Sequence, residues 1–168
     1  MIRPARTADL ETLARLRHDL WPDGPREEHA GELADFFAGR AREPLAILVA
    51  EPSAGAVAGF CELSIRAYAE GCRSDRVGYL EGWYVVPEHR RQGVGRALIA
   101  AGEKWAREQG CTEFASDAAV DNETSIRAHR ALGFDDAGVV RCFRKDLVPR
   151  IGEDNRGGAV SARGGSAT

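Results

Sequence analysis

The run Arg90-Arg91-Gln92-Gly93-Val94-Gly95, set between a strand-like and a helix-like stretch, constrains the fold more than any other part of the chain. Residues 79–86 before it are rich in aromatic and β-branched side chains, and Pro87 closes them off. Residues 95–106 after it carry apolar side chains at helical spacing. A basic loop with two near-adjacent glycines therefore feeds a helix start, where backbone N–H groups lack an intrahelical partner. Glycine permits close approach of a bulky anion, and the helix dipole adds favourable potential. The pattern predicts a phosphate or pyrophosphate site on Arg90, Arg91, Gln92, Gly93, Val94, Gly95 and Arg96. It is not a Walker loop, because Arg96-Ala97 stands where Lys-Ser/Thr is needed. Nor is it a dinucleotide fingerprint, because Leu98 replaces the third glycine.

The rest of the composition narrows the class. At 168 residues the chain forms one domain with a sizeable core. No apolar run reaches bilayer length and the N-terminus has no leader-like core, so no membrane partner and a cytoplasmic location are expected. Cys61, Cys72, Cys111 and Cys142 form no C-x-x-C pair; they read as reduced thiols, and no metal is expected. A net charge of -3 argues against nucleic acid and suits a cationic small molecule.

Along the chain, residues 2–5 read as a strand, and Leu10, Leu13, Leu16 and Leu20 mark one face of a helix. A second helix is expected over 27–42, then a strand hairpin over 45–51 and 57–65. The strand before the glycine loop and the helix after it follow. Residues 112–116 form a fifth strand, Asn122 opens a helix ending at Leu132-Gly133, and 134–136 and 139–146 are the last strands. From residue 149 on, Gly, Ser, Arg and Ala dominate, so 149–168 reads as a disordered tail on a domain spanning 1–148.

The order Arg-x-x-Gly-x-Gly after a strand ending Val-x-Pro resembles the acetyl-CoA loop of the GCN5-related N-acetyltransferase (GNAT) superfamily. Asn122-x-x-Ser125, followed by Leu132-Gly133-Phe134, resembles its second signature helix. The resemblance implies an α/β fold with a mixed central sheet of about seven strands flanked by about four helices. It implies acetyl-CoA as co-substrate, with the loop amides on its pyrophosphate and Asn122 on the cofactor side. It also implies that an amide among Trp83, Tyr84 and Val85 polarises the acetyl carbonyl.

Acetyl transfer to an amine further needs a group that accepts the amine proton and one that protonates the departing thiolate. Glu81 lies mid-strand, where an acid is unfavourable unless it borders a cleft or has a partner. Asp117 ends the fifth strand, at the carboxyl ends where α/β sheets bind ligands. The plain alternatives are an ion pair with an arginine for Glu81 and a turn residue for Asp117. His129 stands where many members of the superfamily carry a tyrosine facing the sulfur, and an imidazolium suits a proton donor near neutral pH.

Several segments resemble the aminoglycoside 6′-N-acetyltransferases within that superfamily: Trp21-Pro22, Ser64-Ile65-Arg66 with Tyr68, Leu80-Glu81-Gly82, Ala115-Ser116-Asp117, and His129 through Phe134. This implies a polycationic aminoglycoside held by Trp21, Tyr68, Glu81 and Asp117, with Asp135 or Asp136 as a further acid, in a homodimer. The competing readings are acetylation of a peptide N-terminus or another small amine, and a non-catalytic CoA-binding domain.

Overall fold

A computed structural model of the chain describes residues 1–147, so the tail expected from 149 onward lies outside the described residues. Strands β1 (Ile2–Pro4), β2 (Ala46–Ala50), β3 (Gly59–Arg66), β4 (Val77–Val85) and β5 (Glu113–Ser116) form one sheet in sequence order. The first four pair antiparallel and β4 with β5 parallel. The parallel pair needs a crossover, and helix α3 (Val94–Glu108) supplies it. Helices α1 (Leu10–Leu20) and α2 (Arg26–Phe37) precede β2, and α4 (Glu123–Ala131) follows β5.

The sheet is buried on both faces. On one, Leu13 and Leu16 of α1 and Leu33 of α2 pack with Ile47, Val49 and Phe60. On the other, Leu98 and Ile99 of α3 pack with Leu48, Cys61, Leu63, Leu80 and Val85. Burial pushes the Cys61 thiol up to about 12, so it packs as a small apolar residue. Helix α3 comes close to the sheet at Gly102, where a Cβ would stand 3.1 Å from the Leu63 side chain.

The fold class is the expected one, but among the described residues the sheet has five strands rather than about seven. The runs expected as strands at 134–136 and 139–146 have no regular structure. Val139, Val140 and Phe143 have the composition of a strand and are all exposed. Strand propensity measures fit to a pleated, half-buried surface; it supplies no partner, and these residues pair with none of the five strands. Helix α2 also stops at Phe37 rather than at residue 42.

Two buried ion pairs fasten the layers. The Arg3 guanidinium grips Asp9 with bonds of 2.7 and 2.9 Å and also bonds Glu51, tying β1 to the first helical turn and to the end of β2. Arg17 of α1 grips Glu62 of β3 with bonds of 2.6 and 2.8 Å and reaches Glu32 of α2. The Arg3 hydrogen bonds hold the Asp9 carboxyl below the usual range, outweighing the opposing effect of burial. A depressed carboxylate contributes stability that is full above its unfolded value, near 4, and is lost as pH falls through the folded value. Asp9→Asn should therefore cost about 3–5 kcal/mol near neutral pH, because it leaves Arg3 under-compensated. Denaturant titrations should show the gap from wild type closing below about pH 4; a pH-independent gap would contradict this account.

Candidate active site

Strands β4 and β5 part company before β4 ends. Their pairing runs from Val77–Glu113 to Leu80–Ser116, whereas β4 continues to Val85. Beyond Leu80, one edge of β4 therefore faces no strand among the described residues. A cavity of about 260 Å³ fills the fork. Trp21, Glu81, Gly82, Trp83, Ser116, Asp117, Asn122 and His129 all contribute to its walls.

A bulge shapes β4 at this point. Glu62 pairs with Gly82 and Leu63 with Leu80, so Glu81 is the extra residue. Its carboxylate accepts hydrogen bonds from the Ser64 hydroxyl and from Arg66, whose Nε lies 3.1 Å away. The ion pair considered for Glu81 is thus present, and Glu81 borders the cavity as well. The Arg66 guanidinium also lies 3.4 Å from the centre of the Tyr79 ring. Burial opposes its charge, but Glu81, chiefly through its hydrogen bond, and also Asp117, raise its pKa. Burial first and the Asp117 charge second push the Tyr79 phenol up to about 12. One cation thus sits within the field of both candidate acids.

The bulge turns Gly82 toward α1, where the Trp21 indole occupies the space a side chain would need. Trp21 is 36% exposed and forms a cavity wall. The Arg17 guanidinium lies 5.8 Å from its ring centre, and His29 bonds its carbonyl at 3.1 Å. The buried Arg17–Glu62 pair thus lies beneath this wall.

The glycine loop divides its work differently from the sequence expectation. Gly93 caps α3 at φ +83°, a left-handed conformation that glycine adopts without strain, and has no neighbour near its missing side chain. Gly95 makes room inward: a Cβ there would stand 2.6 Å from the Trp83 indole. Arg91 also takes a positive φ of 58°. Arg90 turns back, donating to the Val85 carbonyl at 2.8 Å with its guanidinium 5.4 Å from the Tyr84 ring centre. Gln92 bonds the Glu88 carbonyl, and Arg96 reaches the Ala131 carbonyl at 3.4 Å. Val94, Gly95 and Arg96 supply the first-turn amides, which have no intrahelical acceptor.

His129 closes the far side. Its ring packs edge-on against Trp83 and Phe134, with centroids 5.7 and 5.1 Å apart. Nδ1 lies 2.8 Å from the Ser125 carbonyl and Nε2 lies 3.1 Å from the Ser116 hydroxyl. Asn122 caps α4, accepting from the Ser125 N–H at 3.0 Å.

Not every candidate joins this cavity. Tyr68 is 68% exposed on the loop before β4. Asp135 and Asp136 line a second, more acidic groove of about 400 Å³ beside β5, where Asp136 pairs with Arg130. The Tyr84 and Val85 side chains pack into the two cores, leaving only their backbone toward ligands. Reading the sequence missed Ser64, Arg66, Tyr79 and Ser116. Strand alternation from Tyr79 would have placed Ser64 and Arg66 across from it, but the bulge hid their shared partner Glu81.

These residues fit a thioester that carries a pyrophosphate. The free edge of β4 offers amides to an extended arm, and the first turn of α3 offers amides to an anion. The buried Trp83 Nε1–H has no hydrogen-bond partner among the described residues.

Comparison with known proteins agrees with this geometry. The sequence profile described as Acetyltransferase (GNAT) family matches residues 13–134. The chain is 52% identical over 147 residues to an aminoglycoside N(6′)-acetyltransferase type 1 of Klebsiella aerogenes, covering 88% of this chain and 97% of that protein. Its fold is similar to the crystal structure of an aminoglycoside antibiotic 6′-N-acetyltransferase, AAC(6′)-Ig, from Acinetobacter haemolyticus, with a TM-score of 0.80 and 40% identity, covering 88% of this chain and 99% of that one. It is similar also to AAC(6′)-Iy in complex with the bisubstrate analogue CoA-S-monomethyl-acetylneamine, with a TM-score of 0.77 and 39% identity, covering 87% of this chain and 97% of that one. A strand fork opposite a glycine-capped helix, a profile spanning most of the domain and relatives matched nearly end to end lead to one conclusion: this chain belongs to the GNAT acetyltransferase family.

Proposed function

We propose that this protein transfers an acetyl group from acetyl-CoA to the 6′-amine of aminoglycoside antibiotics, by direct attack within a ternary complex. The observation that carries this reading is the cavity at the strand fork: it joins two carboxylates and an indole wall to the free edge of β4. An aminoglycoside is a polycation with flat sugar faces, and acids beside an aromatic ring suit it. Near end-to-end similarity to aminoglycoside 6′-acetyltransferases supports the substrate class.

Each residue then has a task. Acetyl-CoA supplies the activated acetyl group. The first-turn amides of α3 hold its pyrophosphate, and Arg91, beside them, adds charge. Amides on the free edge of β4, among Trp83, Tyr84 and Val85, polarise the acetyl carbonyl. Trp21 and Glu81 seat the substrate, and Asp117, at the fork, takes the amine proton. His129 is the source of the proton for the departing thiolate. Tyr68, Asp135 and Asp136 stand outside this cavity and carry no task in the transfer; Asn122 fixes the start of α4. The exposed apolar side chains of Val139, Val140 and Phe143 support a homodimer. The reading places the enzyme in the cytoplasm with its acetyl donor; among the described residues no helix is long and apolar enough to cross a membrane.

The two acids should behave differently. Asp117→Asn should lower kcat by ~10²–10⁴-fold, the cost of losing a proton acceptor. Glu81→Gln should act mainly on the aminoglycoside KM, because Ser64 and Arg66 already engage that carboxylate. Separate measurement of kcat and KM decides; kinetics unchanged in both variants would remove the acids from the site.

The loop glycines should both matter, for different reasons. Gly93→Val forces a branched residue into left-handed geometry, and Gly95→Val drives a side chain into Trp83. Calorimetry should show both variants binding CoA far more weakly than wild type; normal binding would detach the loop from the cofactor.

Regiochemistry tests the reading as a whole. Kanamycin A should release CoA thiol and yield a product acetylated at the 6′-nitrogen by NMR. An analogue with a 6′-hydroxyl should bind through its other ammonium groups and turn over scarcely at all. Equal turnover of that analogue would refute the 6′ assignment, and silence toward every aminoglycoside with turnover of another amine would refute the substrate class.

A further inference from the structure

Both nitrogens of the His129 ring are already engaged. Nδ1 lies 2.8 Å from the Ser125 carbonyl, which can only accept, so Nδ1 carries a hydrogen. Nε2 lies 3.1 Å from the Ser116 hydroxyl, which can donate or accept. Neither nitrogen is left over to point directly into the cavity. Any proton the imidazole gives up toward the fork from Nε2 meets the Ser116 oxygen first.

The Ser116 hydroxyl has a second partner in place. It lies 3.2 Å from the carbonyl of Leu80, its neighbour across the last β4–β5 pair. Two arrangements therefore leave no polar group unmatched. With a neutral ring, the hydroxyl donates to Nε2. With a charged ring, Nε2–H donates to the Ser116 oxygen and the hydroxyl turns to the Leu80 carbonyl. A single rotation of one O–H thus accommodates gain or loss of a proton, with no heavy-atom movement.

Resting on the reading of His129 as the source of the thiolate's proton, we propose that Ser116 is a further catalytic residue that relays this proton. The Ser116 O–H bond breaks as the sulfur–hydrogen bond of the departing thiol forms. The Nε2–H bond breaks as a new O–H bond forms on Ser116. The ring is left neutral, holding its Nδ1 hydrogen against Ser125, and the rotated hydroxyl satisfies Nε2. Solvent entering the open cavity returns the proton before the next turnover. The substrate ammonium loses two protons, one to Asp117 before attack and one to solvent as the tetrahedral intermediate collapses; with one proton taken back by the ring, the balance is one amide, one thiol and one proton released.

The charged groups on the elements packed about this pair are few. Glu81 on β4 and Asp117 after β5 line the same cavity, Arg96 of α3 bonds the Ala131 carbonyl, and Arg130 of α4 pairs with Asp136. Glu81 is itself paired with Arg66.

Single-turnover acetylation of kanamycin A across pH, in wild type, Ser116→Ala, Ser116→Thr, His129→Gln and the Ser116→Ala/His129→Gln double variant, tests the relay. Wild type should lose rate at alkaline pH as the ring loses its proton. Ser116→Ala and His129→Gln should each be slower by about 10²-fold at neutral pH, the scale of one general acid, and should lack that alkaline limb. The double variant should be no slower than either single, because both residues serve one path. Ser116→Thr keeps a hydroxyl and should keep the limb, which separates the chemistry from any loss of fold. Wild-type rate and limb in Ser116→Ala, with both lost in His129→Gln, would overturn the relay and leave His129 as a direct donor. Multiplied losses in the double variant would overturn it as well. An unaffected His129→Gln would refute the underlying reading of His129 instead.

Discussion

The main cavity of this protein depends on the place where β4 and β5 stop pairing. A parallel pair normally satisfies the backbone along its whole length, and here it lasts four residue pairs before β4 continues alone. The bulge at Glu81 adds local twist to β4 at that point. The Trp83 indole and the His129 ring then fill the space between β4 and α4. The result is a row of backbone groups that face a cavity instead of a strand, and such groups favour a ligand able to bond them.

The same bulge sorts the side chains. It sends Glu81 toward Ser64 and Arg66, Gly82 toward Trp21, and Trp83 toward α3. Without the extra residue, simple alternation would place Gly82 on the face of Leu80 and remove the wall that Trp21 builds. Arg17 and Glu62 hold the ground under that wall, a buried pair linking α1 to β3 just behind the site. The pair that fastens the first helix therefore also lies beneath a wall of the cavity.

The electrostatics of the cavity are balanced rather than simply acidic. Arg66 lies against Glu81 and within the field of Asp117, so the ligand-free site already holds one cation. The cavity offers two carboxylates of different standing. One is hydrogen-bonded on both oxygens; the other ends β5 at the mouth of the fork.

The sequence alone determined the order of elements as far as α4, the helix after the glycine loop and the resemblance to the family. Each of these follows from local information: apolar spacing in α1 and α3, β-branched runs in β2–β4, and the residues around Gly93 and Gly95. Glu81 and Asp117 could also be picked out as candidates, since one interrupts a strand and the other ends one, and the family resemblance added Trp21, Asn122 and His129. Only the tertiary structure decided which of them share a cavity and what they touch. Arg66 and Ser116 stood in motifs quoted for the resemblance, but their partners were not legible, lying 15 and 13 residues away in sequence. Gly95 was read as clearing a path for an anion, and the structure shows it making room for Trp83. The runs at 134–136 and 139–146 had strand composition yet form no strand, because pairing requires a partner edge and composition cannot provide one. Local sequence fixes what a segment can become; hydrogen-bond partners and shared space, set by the packed whole, fix what it does.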